Sequence, residues 1–410
     1  VVSPAAISIL GRKVSVSSTD RATRATDIGI RPTIATLEGS RIGAIADYGR
    51  GRPGLIPLWF GEGDQPTPPF IRDAVTAALA DGKTFYSLRR GEAPLRQALR
   101  AYLTRLHGSE IGLERIRVTP SGMSAIQIGM QALVEPGRNV VLVSPVWPNA
   151  TAVARALGAE AREIPLERRI DGRWRLDPDR LFAACDDRTA LLFLNSPGNP
   201  TGWMASRAEI ATILTEARRR GLWVMADEVY SRIVFDGEAA PSFLDVAEPE
   251  DRVLVVNSFS KSWAMTGFRL GWLTMPESFA PLMDTVGEIN TSSTSQFIQH
   301  AGAVAVTDGE PFIAEQRAWL ARNRDLVMAR LGQLPRVRID RPEATFYAWF
   351  TVDGATDSMD LCKQLVDRAN VGVAPGCAFG AGGDGWVRMC FAARTETLAT
   401  ALDRMAPVLA

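Results

Sequence analysis

The sequence predicts an α/β fold: a large domain with a mostly parallel sheet flanked by helices, plus a smaller α+β domain built from the N-terminal segment and the C-terminal third. Three observations predict it. Unbroken or nearly unbroken apolar runs recur at 139–143, 190–194, 222–226 and 253–257, and strands without polar alternation are those buried on both faces of a covered parallel sheet. Helix-like segments separate the runs, so strand, helix and strand follow one another as right-handed βαβ units. Around 275–290 the pattern turns to longer helical stretches and then to strands near 336–351 and 386–391.

The elements follow in chain order. A helix over 91–107 ends at His107 and Gly108, a cationic last turn with a glycine cap. Residues 116–119 form a short strand that runs through Pro120-Ser121-Gly122-Met123 into an apolar helix. Between the second and third apolar runs, Ser206 and Glu209 form a capping box and Ile210, Ile213 and Leu214 an apolar stripe. Arg218, Arg219 and Arg220 suit the helix C-terminus, and Gly221 ends it. The expected organisation is a flexible arm over 1–30, the N-terminal part of the small domain over 31–57, the large ligand-binding domain over 58–290 and the C-terminal small domain over 291–410.

Composition removes several classes of function. The chain of 410 residues is ample for a large and a small domain. Lys plus Arg equals Asp plus Glu at 46 each, so no charge excess invites nucleic acid or a membrane surface. No apolar run is long enough to span a bilayer. Cys185, Cys362, Cys377 and Cys390 are scattered, which argues against a disulfide framework or a zinc site and suits the cytoplasm. His107 and His300 are the only histidines. Neither stands beside a nucleophile motif, so a serine–histidine triad and a histidine-rich metal centre are excluded.

Ligands of open α/β sheets bind at the carboxyl ends of the strands, and three successive ends carry chemistry. Asn195-Ser-Pro-Gly-Asn199-Pro-Thr-Gly202 follows one, Asp227-Glu-Val-Tyr230 the next, and Ser258-Phe-Ser260-Lys261 the third, with Arg269 eight residues on. A lysine among apolar neighbours and close to another cation has its ammonium form disfavoured, so its amine can attack an aldehyde. A buried carboxylate at Asp227 would keep a pyridine nitrogen protonated and make that ring an electron sink. Tyr230 and Asn199 could bond a ring hydroxylate. Free N–H groups at Ser121, Gly122 and Met123 would hold a phosphate on the helix dipole, completed by Ser258 and Arg269.

Four segments, N-P-T-G at 199–202, D-E-V-Y at 227–230, S-F-S-K at 258–261 and G-F-R-L-G-W at 267–272, in this order and spacing resemble the fold type I, class I/II aminotransferases that use pyridoxal 5′-phosphate (PLP). The resemblance runs from about Arg31 to the C-terminus. It implies Lys261 as the Schiff-base lysine, Asp227 as the pyridinium partner, and Asn199 and Tyr230 on the ring oxygen. Ser121, Gly122, Ser258 and Arg269 would bind the phosphate. Trp147, in Pro145-Val-Trp147-Pro-Asn, resembles the aromatic residue stacked on the cofactor ring. Gly61 resembles the glycine whose backbone lies against the substrate, and Arg388 the arginine that grips the α-carboxylate with two parallel bonds. Tyr86 resembles a tyrosine that reaches the phosphate of a neighbouring subunit, which implies a homodimer. Two positions depart from the family pattern. Met123 stands where a small or polar residue is usual, and Gly63 where proline is common.

The implied activity is a PLP-dependent transfer of an amino group between an L-amino acid and a 2-oxo acid by a ping-pong mechanism. The same scaffold hosts C–S β-lyases, so the fold by itself leaves that alternative open. Ser258 and Lys261 also spell S-x-x-K, the signature of a class of serine acyl-transfer enzymes, but their accompanying S-D-N and K-T-G elements are missing. Gly380, Gly382 and Gly385 match G-x-G-x-x-G but precede a strand, so they mark a loop and not a dinucleotide site. A regulator on this scaffold would need a basic helix-turn-helix module, for which residues 1–30 are too short.

Overall fold

The computed structural model describes residues 28–410. The expected arm therefore lies almost wholly outside the described residues. The described residues fall into two units, divided between Gly39 and Ser40. In the first, the described part holds one helical turn, Pro32–Ala35, opened by its proline. In the second the labelled helices are α1 Arg41–Gly49, α2 Pro69–Ala80, α3 Ala93–His107, α4 Gly122–Leu133, α5 Arg207–Arg220, α6 Gln296–Asp308, α7 Glu310–Leu331 and α8 Thr395–Leu409. The labelled strands are β1 Ile56–Pro57, β2 Ile116–Thr119, β3 Asn139–Ser144, β4 Glu160–Pro165, β5 Thr189–Asn195, β6 Trp223–Asp227, β7 Val253–Ser258, β8 Gly271–Thr274, β9 Val337–Ile339, β10 Tyr347–Val352, β11 Val371–Gly372, β12 Ala374–Pro375 and β13 Trp386–Cys390.

A seven-stranded sheet has the order β2-β8-β7-β6-β5-β3-β4. Neighbours are parallel from β7 to β4, and β8 runs antiparallel to both β7 and β2. The four expected apolar runs are its central strands. Alternation along β3 explains why they lack polar residues: Val141 and Val143 enter the core on one face, Val140 and Leu142 the core on the other. The predicted capping box is formed, with Ser206 Oγ accepting from Glu209 N–H and Gly221 in the left-handed conformation at the other end of α5. Gly108 likewise caps α3 at φ 68°.

A second, antiparallel sheet has the order β9-β10-β13-β12. Its core takes residues from α1, α7 and α8, and β1 pairs in parallel with β11. The core of the seven-stranded sheet extends beyond residue 290. Ala301, Ala305, Val306 and Ile313 belong to it, and α6 packs on α2 and α3. Among the described residues no helix is long and apolar enough to cross a membrane.

Candidate active site

The carboxyl ends of β5, β6 and β7 meet at one level. Asn195 and Asp227, the last residues of their strands, are register partners, and Asp227 pairs with Val256, two residues before the end of β7. Asn195 locks the corner. Its amide donates to the Asp227 carbonyl at 2.9 Å, and its Oδ1 accepts the Asn199 N–H at 2.8 Å. That fold-back points Asn199 toward the second sheet, where its Oδ1 accepts from Arg388 Nη1 at 3.0 Å. The Asp227 carboxylate is buried and takes one backbone donor, Val229 N–H, at 3.3 Å. Burial pushes its pKa up to about 7 against the pull of that bond and of Lys261.

Past the end of β7 the chain makes a single turn, Phe259–Ser262, capped by Ser258 Oγ. Lys261 leaves this turn and donates to the Gly61 carbonyl at 2.5 Å. Desolvation lowers its pKa to about 8, assisted by Arg388 and opposed by the Cys390 thiol, Glu62 and Asp227. The faces of Tyr230 and Phe346 lie 5.7 and 5.9 Å from its amine. Gly61 has no room for a side chain, since a Cβ there would lie 2.0 Å from the Tyr347 hydroxyl. Ser258 Oγ bonds Ser260 and the Leu270 carbonyl, and Lys261 bonds Gly61. The serine–lysine couple of the S-x-x-K alternative is thus not formed.

Arg388 comes from β13. Trp386, Arg388 and Cys390 share a face of that strand, and the β10 partners of Arg388 and Cys390 are Trp349 and Tyr347. The Arg388 guanidinium is buried, stacks 4.5 Å over the Tyr347 ring, and donates to the Trp59 carbonyl and Asn199. Its Nε is buried without a hydrogen-bond partner. The Tyr230 hydroxyl lies 2.6 Å from that of Tyr347, and burial holds both phenols above their ordinary pKa.

At the amino end of α4, Ser121 Oγ accepts the Ser124 N–H at 3.0 Å. Gly271 lets β8 pass close by, because a Cβ there would lie 2.7 Å from the Gly122 nitrogen. Arg269 adopts φ 54° and donates to the Thr266 carbonyl at 2.8 Å.

These groups share one cavity of about 270 Å³, lined by Gly61, Ser121, Gly122, Met123, Trp147, Asn199, Asp227, Tyr230, Ser258, Lys261, Arg269 and Arg388. Every residue expected at the site from the sequence lines it except Tyr86, which is 89% exposed. Phe60 and Tyr347, aromatic residues able to form an apolar pocket, also line it, as do Asn195, Ser260, Ile42 and Ile126, which were not expected. Asn195 had a signal, an amide at a strand end before a Pro-Gly turn. The histidines stand elsewhere, His107 on Asp245 at 2.7 Å and His300 beside Lys83 at 3.3 Å.

One cavity thus brings together a desolvated lysine, a buried carboxyl and a buried arginine, groups able to handle an amine and a carboxylate together. The family model for aminotransferase class I and II matches residues 55–405, and the chain belongs to that family. It is 33% identical to an aspartate aminotransferase of Musicola paradisiaca, across 87% of this chain and 89% of the relative. It is 31% identical to aromatic-amino-acid aminotransferase 2 of Thermococcus litoralis, across 90% and 95%. Aspartate aminotransferase of Thermus thermophilus, solved with maleate, superposes with a TM-score of 0.86 at 31% identity, covering 93% of this chain and all of that one.

Proposed function

We propose that the chain binds PLP at Lys261 and transfers an amino group from an L-amino acid to a 2-oxo acid in two half-reactions. The observation that carries this is the pair Lys261 and Asp227 facing one cavity, each with its charged form disfavoured by burial. The residues fit the cofactor. Asp227 has no cation in hydrogen-bond contact and matches a pyridinium N–H, and the Ser121–Met123 turn opens α4 as a phosphate site. When bound, the cofactor supplies an aldehyde and a protonated ring that accepts the electron pair left by a departing Cα proton.

The chain's own residues do the rest. Asp227 would hold the ring N–H. Tyr230 and Asn199 would bond the ring oxygen, and Trp147 would offer its flat face to the ring. Ser121, Gly122, Met123, Ser258 and Arg269 would bind the phosphate. Arg388 turns its guanidinium to the substrate carboxylate in exchange for the Trp59 and Asn199 oxygens, and its unpartnered Nε completes the fork. Lys261, whose ammonium form is disfavoured by burial, would hold and move the proton at Cα. Gly61 leaves space for the substrate backbone.

A homodimer is part of the same proposal. Phe85, Tyr86, Leu88, Leu282 and Ile289 are exposed, and Ser87–Thr294, Arg89–Glu288 and Arg90–Asp284 contacts join their segments into one surface. Tyr86 would reach the neighbouring phosphate from it. The four free thiols suit the cytoplasm.

The test is an absorbance titration of PLP-loaded protein with single amino acids. A band near ~420 nm that bleaches to ~330 nm supports transamination. Release of pyruvate and ammonia with no acceptor present would indicate a β-lyase instead.

A further inference from the structure

The geometry points to amino acids with a bulky, uncharged apolar side chain, aromatic or branched aliphatic, as the substrates of this site; the inference rests on the proposed transamination. The cavity lining contains three cations, Lys261, Arg269 and Arg388. Lys261 is committed to the chemistry, Arg269 to the phosphate and Arg388 to the α-carboxylate. The lining residues left without a role, Ile42, Phe60, Ile126 and Val229, offer apolar surface with no positive charge. A second carboxylate entering there would lose its hydration without gaining a counter-ion. A cationic side chain fares no better, because the one acid of the lining, Asp227, is committed to the ring nitrogen.

Phe60 belongs to this wall. Trp59 before it sends its side chain into the small-domain core, while Phe60 is 47% exposed and lines the cavity. The carbonyl of Trp59 accepts from Arg388, and that of Gly61 accepts from Lys261. Phe60 therefore stands between the anchors of the substrate's carboxylate and amine, where the side chain on Cα departs. A half-exposed phenylalanine at that point is apolar surface that a bulky substrate covers.

Among the described residues, the segment packed beside Tyr86 offers hydroxyls. Ser87 N–H donates to Ser293 Oγ at 3.2 Å and Ser87 Oγ to the Thr294 carbonyl at 2.8 Å. The segment next to Tyr86 is thus Thr291-Ser-Ser-Thr-Ser295, all hydroxyls. The nearby arginines are engaged, Arg89 with Glu288 at 3.0 Å and Arg90 with Asp284 at 2.6 Å.

The experiment uses the PLP-loaded enzyme and has two readouts. In calorimetric titrations with unreactive acids that lack an amine, 3-phenylpropionate should bind at least about tenfold more tightly than succinate. In single-turnover bleaching, L-phenylalanine and L-leucine should exceed L-aspartate in second-order rate constant by at least about tenfold. A smaller ratio in either overturns the inference. If the acids keep this order while no amino acid bleaches the cofactor, the subsite stands and transamination falls. If aspartate bleaches it as well as phenylalanine does, transamination stands and the apolar subsite falls. In Phe60→Ala the ratio of phenylalanine to alanine rate constants should drop about fivefold or more, a ratio from which general damage cancels. An unchanged ratio overturns the assignment of Phe60.

Discussion

The hydroxyl of Tyr230, which leaves the end of the large sheet, lies 2.6 Å from the hydroxyl of Tyr347, which belongs to the small one. Both rings are buried, so this bond ties the two sheets together beside the lysine. Removal of one oxygen leaves the other without its partner in a dry site. Tyr347→Phe and Tyr230→Phe should each lower the unfolding free energy by about 1 kcal/mol in urea titrations. The double variant should cost less than the sum of the two. Additive losses would mean that the bond contributes nothing.

Lys261→Ala should still bind PLP, since the phosphate and ring contacts remain. It should lose turnover by on the order of 10⁴-fold, having neither the Schiff base nor the proton carrier. The check is steady-state transamination beside a dialysis measurement of bound cofactor. Wild-type turnover in this variant would refute the role of Lys261.

The pKa of about 8 at Lys261 sets a pH profile for the cofactor-free enzyme. The neutral amine attacks the aldehyde, so the rate of PLP capture should rise with pH and level off above about 8. It should not go on climbing toward the ordinary lysine value near 10.4. Stopped-flow absorbance across pH 6–10, a range chosen about that midpoint, reads this directly.

Asp227 gives a stability prediction with a definite sign. Its carboxyl titrates at about 7 when folded and near 3.9 when unfolded. Ionisation thus destabilises the cofactor-free fold increasingly as pH rises between those values, and fully above about 7. Asp227→Asn should be more stable than wild type above about pH 7, by on the order of a few kcal/mol. The advantage should vanish near about pH 4. Denaturant titrations of the apoenzyme at both ends of the window test it, while the same substitution should weaken turnover in the loaded enzyme.

Arg388→Lys keeps the charge and loses the fork. KM for the amino acid should rise by roughly 10- to 100-fold, the range for loss of a bidentate carboxylate bond. Equal KM values in the two enzymes would place the α-carboxylate elsewhere.

The large sheet and its ligand-bearing ends were legible because the code is local: continuous apolar strands, a capping box at Ser206, and a strand end followed by polar residues. Even the small differences are local. Asp227 and Ser258 close their strands instead of following them, since one more polar residue still fits the ladder at an edge that faces the ligand. The rest depends on contacts between distant segments. Tyr347 was visible as an aromatic strand residue, yet its partner lies 117 positions away. Helix α6 joined the large core through Gly302, where a Cβ would lie 2.4 Å from Leu270; nothing in the helix's own pattern announces that approach. Tyr86 is a different case, because the role proposed for it in a neighbouring subunit would leave no contact within a single chain.

Two main-chain oxygens, two residues apart, hold the arginine and the lysine that an amino acid must meet. In the cofactor-free chain the spacing between those cations is therefore set by main-chain oxygens, which a side-chain substitution at position 60 leaves in place. Residue 60 can change which molecules are welcome while the gauge that measures their common end stays the same, so selectivity in this enzyme is free to drift without dismantling its chemistry.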